Sequence, residues 1–233
     1  MKKSFDLFTL TKNQTNFPSQ LKNIYNCPEK IWCQGNKSLL NNHKSLAVVG
    51  SRKISWYGHL AIDSLLTKEL VNQLVIISGL AIGVDRLAHQ VCLEQGGQTI
   101  AVLGSGLDQS SLYPPSNWLL AQKIVKSGGL LLSEHPPGEQ ARSYYFPQRN
   151  RIIAGLASAV LIIEAANRSG ALITADLASQ EGRDVLVVPG NINQPMSKGA
   201  NQLIKSGAEL ITEVDDLLTA LDLPKSNSYS ELS

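Results

Sequence analysis

The stretch Leu46-Ala-Val-Val-Gly-Ser-Arg52 opens with four consecutive apolar residues and closes on a glycine, a hydroxyl and a guanidinium. A short run with no polar face reads as a strand covered on both sides. Glycine directly after it marks a turn. The same apolar run returns at Leu74–Ile77, Ile100–Leu103, Leu130–Leu132, Ala159–Ile163 and Val185–Val188, with starts 28, 26, 30, 29 and 26 residues apart. Helical patterns lie between. Val84, Leu87, Ala88, Val91 and Cys92 form one face of a helix, and Ala61, Ile62, Leu65, Leu66 and Leu70 form a wider stripe. Strand–helix alternation at this period predicts α/β architecture: a doubly wound, mostly parallel sheet with helices on both faces.

Around that core the expected layout is an N-terminal extension over 1–45, a binding domain over 46–222, and a disordered tail over 223–233. Residues 1–16 read as irregular. One short helix is expected near Leu21–Ile24 and one strand near Ile31–Cys33, and the tail lacks any apolar period.

Composition narrows the function classes. Lys+Arg number 21 against 19 Asp+Glu, yet the balance is uneven. Residues 1–208 carry 20 against 13, and 209–233 carry 1 against 6, so a basic body precedes an acidic end. No apolar run approaches the ~18 residues of a membrane span. The start, Met1-Lys2-Lys3-Ser4-Phe5-Asp6, leads into no apolar segment, so no secretory signal is expected and a cytoplasmic location is. Cys27, Cys33 and Cys92 are an odd set without a C-x-x-C pair. They read as reduced structural thiols rather than a disulfide framework or zinc site. No metal or cofactor is expected.

Glycines gather after the strands: Gly50, Gly79, Gly83, Gly104, Gly106, Gly170, Gly190 and Gly199. In open α/β sheets ligands bind beyond the carboxyl ends of the strands, where backbone amides and helix N-termini favour anions. Of only seven arginines, Arg52, Arg142, Arg149, Arg151 and Arg168 fall at or just beyond those ends. Their planar forks match phosphate oxygens. No G-x-x-x-x-G-K-[ST] loop is present, and Gly104-Ser-Gly106 lacks the third glycine of a dinucleotide fingerprint.

The window Arg142-Ser-Tyr-Tyr-Phe-Pro-Gln-Arg-Asn-Arg151 holds three of the seven arginines and three of the thirteen aromatics. Interleaved rings and cations suit single-stranded nucleic acid, one surface per base and one charge per phosphate. The structural alternative is an irregular loop with Phe146 capping the core and the arginines in surface ion pairs.

Several motifs stand in order: Leu46–Arg52, Ser78–Asp85 with Ala88-His89, Thr99–Asp108, Tyr113-Pro114, Gly129–Glu134, Phe146–Gly155, Glu164, Ser169–Ala175, Gly182-Arg183 and Val188-Pro-Gly190. Over about residues 17–212 the chain resembles the DNA-processing protein A family (DprA, also called Smf). The resemblance implies an extended Rossmann-like fold and sequence-independent binding of single-stranded DNA. It also implies loading of the RecA recombinase during natural transformation, by a homodimer. The family's DNA-facing G-S-R and F-P-x-R-N-R segments correspond here to Gly50, Ser51, Arg52 and to Phe146, Arg149, Asn150, Arg151. The turns Ser78-Gly79 and Ser169-Gly170, and the loop with Ser197, Gly199 and Asn201, border the same edge. The family pattern commonly places a lysine shortly before the F-P pair, where this chain has Ser143, with Arg142 one position earlier.

Three further arrangements are candidates for chemistry. Asp85 and His89, four residues apart, could form a carboxylate–imidazole dyad; the preferred reading is Asp85 capping amides with His89 paired to it. Glu134 and Glu164 could be the paired carboxylates of a nucleoside monophosphate phosphoribohydrolase. That group's P-G-G-x-G-T loop is absent, so the glutamates are expected to organise the arginines instead. Trp56-Tyr57 reads as core. Leu203, Ile204, Leu210 and Ile211 would supply a dimer patch, as a scaffolding protein needs, or finish the sheet.

Overall fold

The computed structural model describes residues 7–41 and 44–225. The six apolar runs become the parallel strands β3 (Ser45–Val49), β4 (Val75–Ser78), β5 (Gln98–Leu103), β6 (Leu130–Ser133), β7 (Ala159–Ile162) and β8 (Asp184–Val187). They are preceded by β1 (Leu7–Thr11) and β2 (Lys30–Gly35) and followed by β9 (Glu209–Leu210). Among the described residues the sheet order is β1-β2-β6-β5-β4-β3-β7-β8-β9. The β1–β2 and β2–β6 ladders are antiparallel and the others parallel.

Both faces are buried, which is why the strands carry no polar alternation. In β3, Ala47 and Val49 face one layer while Leu46 and Val48 face the other. The first layer holds α1 (Ser19–Lys22), α6 (Tyr145–Leu156), α7 (Gly170–Gln180) and α8 (Lys198–Lys205). The second holds α2 (Trp56–Leu65), α3 (Lys68–Val71), α4 (Val84–Glu94) and α9 (Val214–Ala220). Beside α4, α5 (Trp118–Lys126) packs Leu120, Ala121 and Ile124 on Ala101, Leu103 and Leu131.

Three expectations need correction. Residues 7–11, read as irregular, form β1; only Leu10 of that strand is fully buried, so a half-apolar edge strand leaves little pattern to read. The stripe from Ala61 to Leu70 is two helices, because Thr67 accepts the Leu70 amide at 3.3 Å and starts α3. Disorder was expected from 223, yet Leu223 packs into the α2–α9 layer; residues 226–233 of that tail, and residues 1–6, lie outside the described residues.

The buried polar groups are mostly structural. Ser78, fully buried, donates to the Val48 carbonyl at 2.6 Å. His89 is not paired with Asp85. The Thr99 hydroxyl donates its single proton to the Ile76 carbonyl, so it must accept from His89 Nδ1, 2.7 Å away. Nε2 is left without a partner among the described residues. Burial, reinforced by the nearby Arg149 charge, drives the His89 pKa down to about 3. Burial pushes the Cys33 and Cys92 thiols up to about 12, which leaves them protonated and unreactive.

His89 therefore sets an acid limb of stability. Its folded pKa lies below the unfolded value of 6.5, so the unfolded chain binds the extra proton between pH 6.5 and about 3. Stability should fall as pH drops through that window. Replacing His89 by Leu should flatten this limb by a few kcal/mol between pH 7 and 4, measured by urea titration; an unchanged slope would contradict a buried neutral imidazole.

Candidate nucleic-acid interface

In the sheet, β3 sends its connection to the α2 layer, while its neighbour β7 leads into α7 on the opposite layer. Connections that diverge from adjacent strands leave a crevice at the carboxyl edge. A cleft of about 700 Å³ occupies it, lined by Gly50–Arg52, Ala81, Asp85, Tyr113, Phe146, Arg149, Asn150, Ser169–Ala171, Ile173 and Thr174 among others.

The Phe146–Arg151 segment is not an irregular loop. It forms the first two turns of α6, with Pro147 in the first turn, where its missing N–H is not needed. Helical spacing puts Phe146, Arg149, Asn150 and Ile153 on the face toward the cleft, and all four line it. Arg151 falls on the other side.

Arg149 is 6% exposed. Its Nη1 donates to the Gly79 carbonyl at 2.6 Å and the Val102 carbonyl at 2.5 Å. Gly79 is required here, since a Cβ at that position would fall inside the guanidinium. Asp85, also buried, accepts from the Gly79 amide at 3.1 Å and the Ala81 amide at 3.5 Å. Burial pushes its carboxyl up, opposed chiefly by the Arg149 charge and those amides. The guanidinium is in turn lowered by burial and held up by Asp85. Asp85 and Arg149 make no direct ion pair among the described residues; each acts on the other through space as a buried opposite charge.

Arg52, exposed, lies over the Phe146 ring at 5.2 Å from its centroid. Tyr113 meets the same ring at 5.5 Å. Of the five arginines read at the strand ends, Arg52 and Arg168 have no ion pair or hydrogen-bond partner among the described residues. The others are engaged. Arg142 reaches Glu139 at 3.3 Å and the Tyr144 hydroxyl at 3.2 Å. Arg151 Nη2 donates to both carboxylate oxygens of Glu134, 2.7 Å to each. On the far wall, Asn150 Nδ2 donates to the Gly170 carbonyl at 3.3 Å, which joins α6 to the start of α7. The Ser169 hydroxyl has no partner among the described residues. The space beside Gly170 is open, so the first amides of α7 border the cleft.

The structure thus gathers Gly50, Ser51, Arg52, Phe146, Arg149, Asn150, Ser169 and Gly170 around one cleft. Ser78 sits beneath it in the core. Gly79 borders a narrow side recess and makes room for Arg149. Neither Arg142 nor Arg151 lines the cleft, whereas Ser143 does. Ser197 packs on Gly190, Gly199 N–H donates to the Ala165 carbonyl at 2.8 Å, and Asn201 brackets the Gly190 backbone at 2.8 and 3.1 Å. These three latch the β8–α8 connection.

The glutamates do not share a site. Glu134 follows β6 and Glu164 follows β7, with three strands between them, roughly 19 Å at the usual strand spacing. Paired glycosidic carboxylates stand about 5–9.5 Å apart. Glu134 does organise an arginine, as expected. Glu164 does not: it accepts the Ser55 amide at 2.9 Å and the Ser55 hydroxyl at 2.5 Å. Trp56 and Tyr57, read as core, are 76% and 46% exposed. The helix itself carried the signal, since Gly58, Ala61, Ile62 and Leu65 define its buried face and Trp56 lies opposite. Leu203 and Ile204 pack against the core, Ile211 is buried in it, and Leu210 on the edge strand is 47% exposed.

Gly79→Ala should lower stability by about 1–3 kcal/mol or more by displacing Arg149 from both carbonyls. A melt equal to wild type would show that the guanidinium is not held there.

Comparison with known proteins agrees with this architecture. Residues 8–222 match the family described as DNA recombination-mediator protein A. The DNA processing protein DprA of Streptococcus pneumoniae is 45% identical over 206 residues, covering 88% of this chain and 71% of that protein. The crystal structure of that species' DprA superposes with a TM-score of 0.85 at 43% identity, covering 93% of this chain and 74% of the other. The DNA processing protein A of Helicobacter pylori, solved for its single-stranded DNA binding mode, gives 0.82 at 30% identity over 95% and 98% of the two chains. With a family match spanning nearly all the described residues and the same doubly wound sheet in its relatives, the chain belongs to the DNA recombination-mediator protein A family of DNA-processing proteins.

Proposed function

We propose that the chain binds single-stranded DNA without sequence preference, through the cleft between the β3–α2 loop, α6 and the start of α7. The observation that carries this reading is the Arg52–Phe146 pair at the cleft mouth. An exposed guanidinium with no carboxylate partner among the described residues lies over an aromatic ring. The pair offers a cation to a phosphate and a face to a base. The amides of Gly170 and Ala171 supply a second anion-favouring position opposite it. The single-stranded DNA binding named for the Helicobacter pylori relative supports the same choice.

Residue roles divide accordingly. Gly50, Ser51, Arg52, Phe146, Asn150, Ser169 and Gly170 touch DNA, while Arg149 shapes the floor. Arg142, Ser197, Gly199 and Asn201 act from the margin. Arg151 is spent on Glu134. Loading of RecA onto the bound strand, and action as a homodimer in the cytoplasm, follow from the family resemblance. For the dimer, the two-residue edge strand β9 with exposed Leu210 is a suitable surface. Among the described residues no helix is long and apolar enough to cross a membrane.

Salt titration of binding to a labelled oligothymidylate tests the reading. Each phosphate contact adds about 0.7 to the slope of log K against log salt. Arg52→Ala should weaken binding and flatten the slope by about that amount, and Arg151→Ala should leave it unchanged. Phe146→Ala should lose about 1–3 kcal/mol with no change in slope, because stacking releases no counterion. Tight binding that ignores salt would refute the phosphate contacts. Enhanced RecA filament formation on strands coated with a single-strand-binding protein tests the loading step; no enhancement would remove it.

A further inference from the structure

A second cleft, about 670 Å³, opens on the other side of the β3–α2 loop, between the start of α2 and the β8–α8 connection. Its walls are the exposed rings of Trp56 and Tyr57, with Met196 and Gln194 opposite. The Tyr57 hydroxyl donates to the Pro189 carbonyl at 2.6 Å and ties the two walls together. At the floor lies the Glu164 carboxylate, 3% exposed. Ser55 supplies one hydrogen bond to each of its oxygens. A carboxylate has about four acceptor positions, so these two bonds do not exhaust it, although Gly58 packs against Oε2. No lysine or arginine lines this cleft.

That combination disfavours a phosphate, which would meet a carboxylate with no cation beside it. It fits a flat neutral ring that carries hydrogen-bond donors on its edge. Guanine presents two adjacent donors, N1–H and the N2 amino group. Adenine and cytosine present one amino group, and thymine a single N–H between two carbonyls that the carboxylate would repel. Trp56 offers the stacking face and Met196 a soft, adaptable contact.

We infer that this cleft is a second base subsite, selective for guanine, on the strand that the first cleft holds; the inference rests on the single-strand reading above and confines its lack of sequence preference to the first cleft. The two clefts share one loop. Arg52 borders the first and Trp56 the second, four residues on, at most about 14 Å of chain. One strand can therefore enter both, its phosphates on the Arg52 side and a base on the Trp56 side.

Fluorescence anisotropy with two labelled 20-mers tests this: oligothymidylate, and the same strand with every fifth thymidine replaced by deoxyguanosine. The wild-type chain should bind the guanine-containing strand about five-fold or more tightly, the low end for a two-bond base contact. Trp56→Ala, at an exposed position that folding does not need, should weaken binding of that strand at least about five-fold and bring the ratio close to one. Glu164→Gln should also narrow the ratio; if it fails to fold, Trp56→Ala decides alone. Equal binding of both strands by wild type, unchanged in Trp56→Ala, would overturn the subsite and leave the single-strand reading intact. Failure of wild type to bind either strand would overturn the single-strand reading and the subsite with it.

Discussion

A single buried cation holds the cleft together. Arg149 enters the protein from the second turn of α6 and spends one nitrogen on two carbonyls near the carboxyl ends of β4 and β5, at Gly79 and Val102. A lone guanidinium in that setting would cost several kcal/mol in lost hydration. Asp85, held by two backbone amides, supplies the countercharge. With Arg149 anchored, the helical repeat dictates the rest of α6: Phe146 stands one turn earlier at the mouth, and Asn150 one residue later against the start of α7. Because Arg149 and Asp85 oppose each other, the net positive charge presented at the mouth belongs to Arg52. One arginine builds the cleft, and under the proposed single-strand reading another meets the ligand.

The second constraint is topological. Strand order reverses between β3 and β7, so their connections leave toward opposite layers. Gly50 lets the end of β3 approach both Val84 and the Glu164 backbone, where a Cβ would lie 2.7 and 3.0 Å away. That close approach compresses the loop before α2 into a narrow divider. Ser51 folds it back on itself, accepting the Lys53 amide at 2.9 Å and donating to the Lys53 carbonyl at 3.0 Å. Ser55 then fastens it to Glu164. One short loop separates two recesses because it is pinned at both ends.

The six parallel strands were legible in the sequence because burial on both faces demands uninterrupted apolar runs, and no other element needs that. β1 was hidden for the converse reason: an edge strand with Leu10 as its one fully buried residue has little signature. In the candidate site, Gly50, Ser51, Arg52 and Phe146 could be placed from the turn chemistry and the family motifs. Arg149 and Arg151 cannot be told apart without the helix that carries them, since an irregular segment lets both reach solvent. Helical phase separates them by about 200°, sending one to the strand ends and the other to Glu134. Trp56 was misjudged by its side-chain type. A large ring is usually buried, but this one sits opposite the apolar stripe of its own helix, and phase outranks hydrophobicity in deciding the outcome.

The charges around the two recesses differ in sign. On the α6–α7 side the accessible groups are the Arg52 guanidinium and the amides at the α7 N-terminus, both favourable to anions. The α2 side is lined by the buried Glu164 carboxylate, the Pro189 carbonyl and the side-chain amides of Asn191 and Gln194, a set richer in acceptors than in cations. A polyanion whose phosphates and bases alternate along one chain matches that division, since its charged backbone is drawn to one side of the loop and its neutral rings to the other. A small nucleotide held wholly in either recess would satisfy only half of it. The polarity across the β3–α2 loop therefore favours an extended strand over a mononucleotide on electrostatic grounds, independently of the family to which the chain belongs.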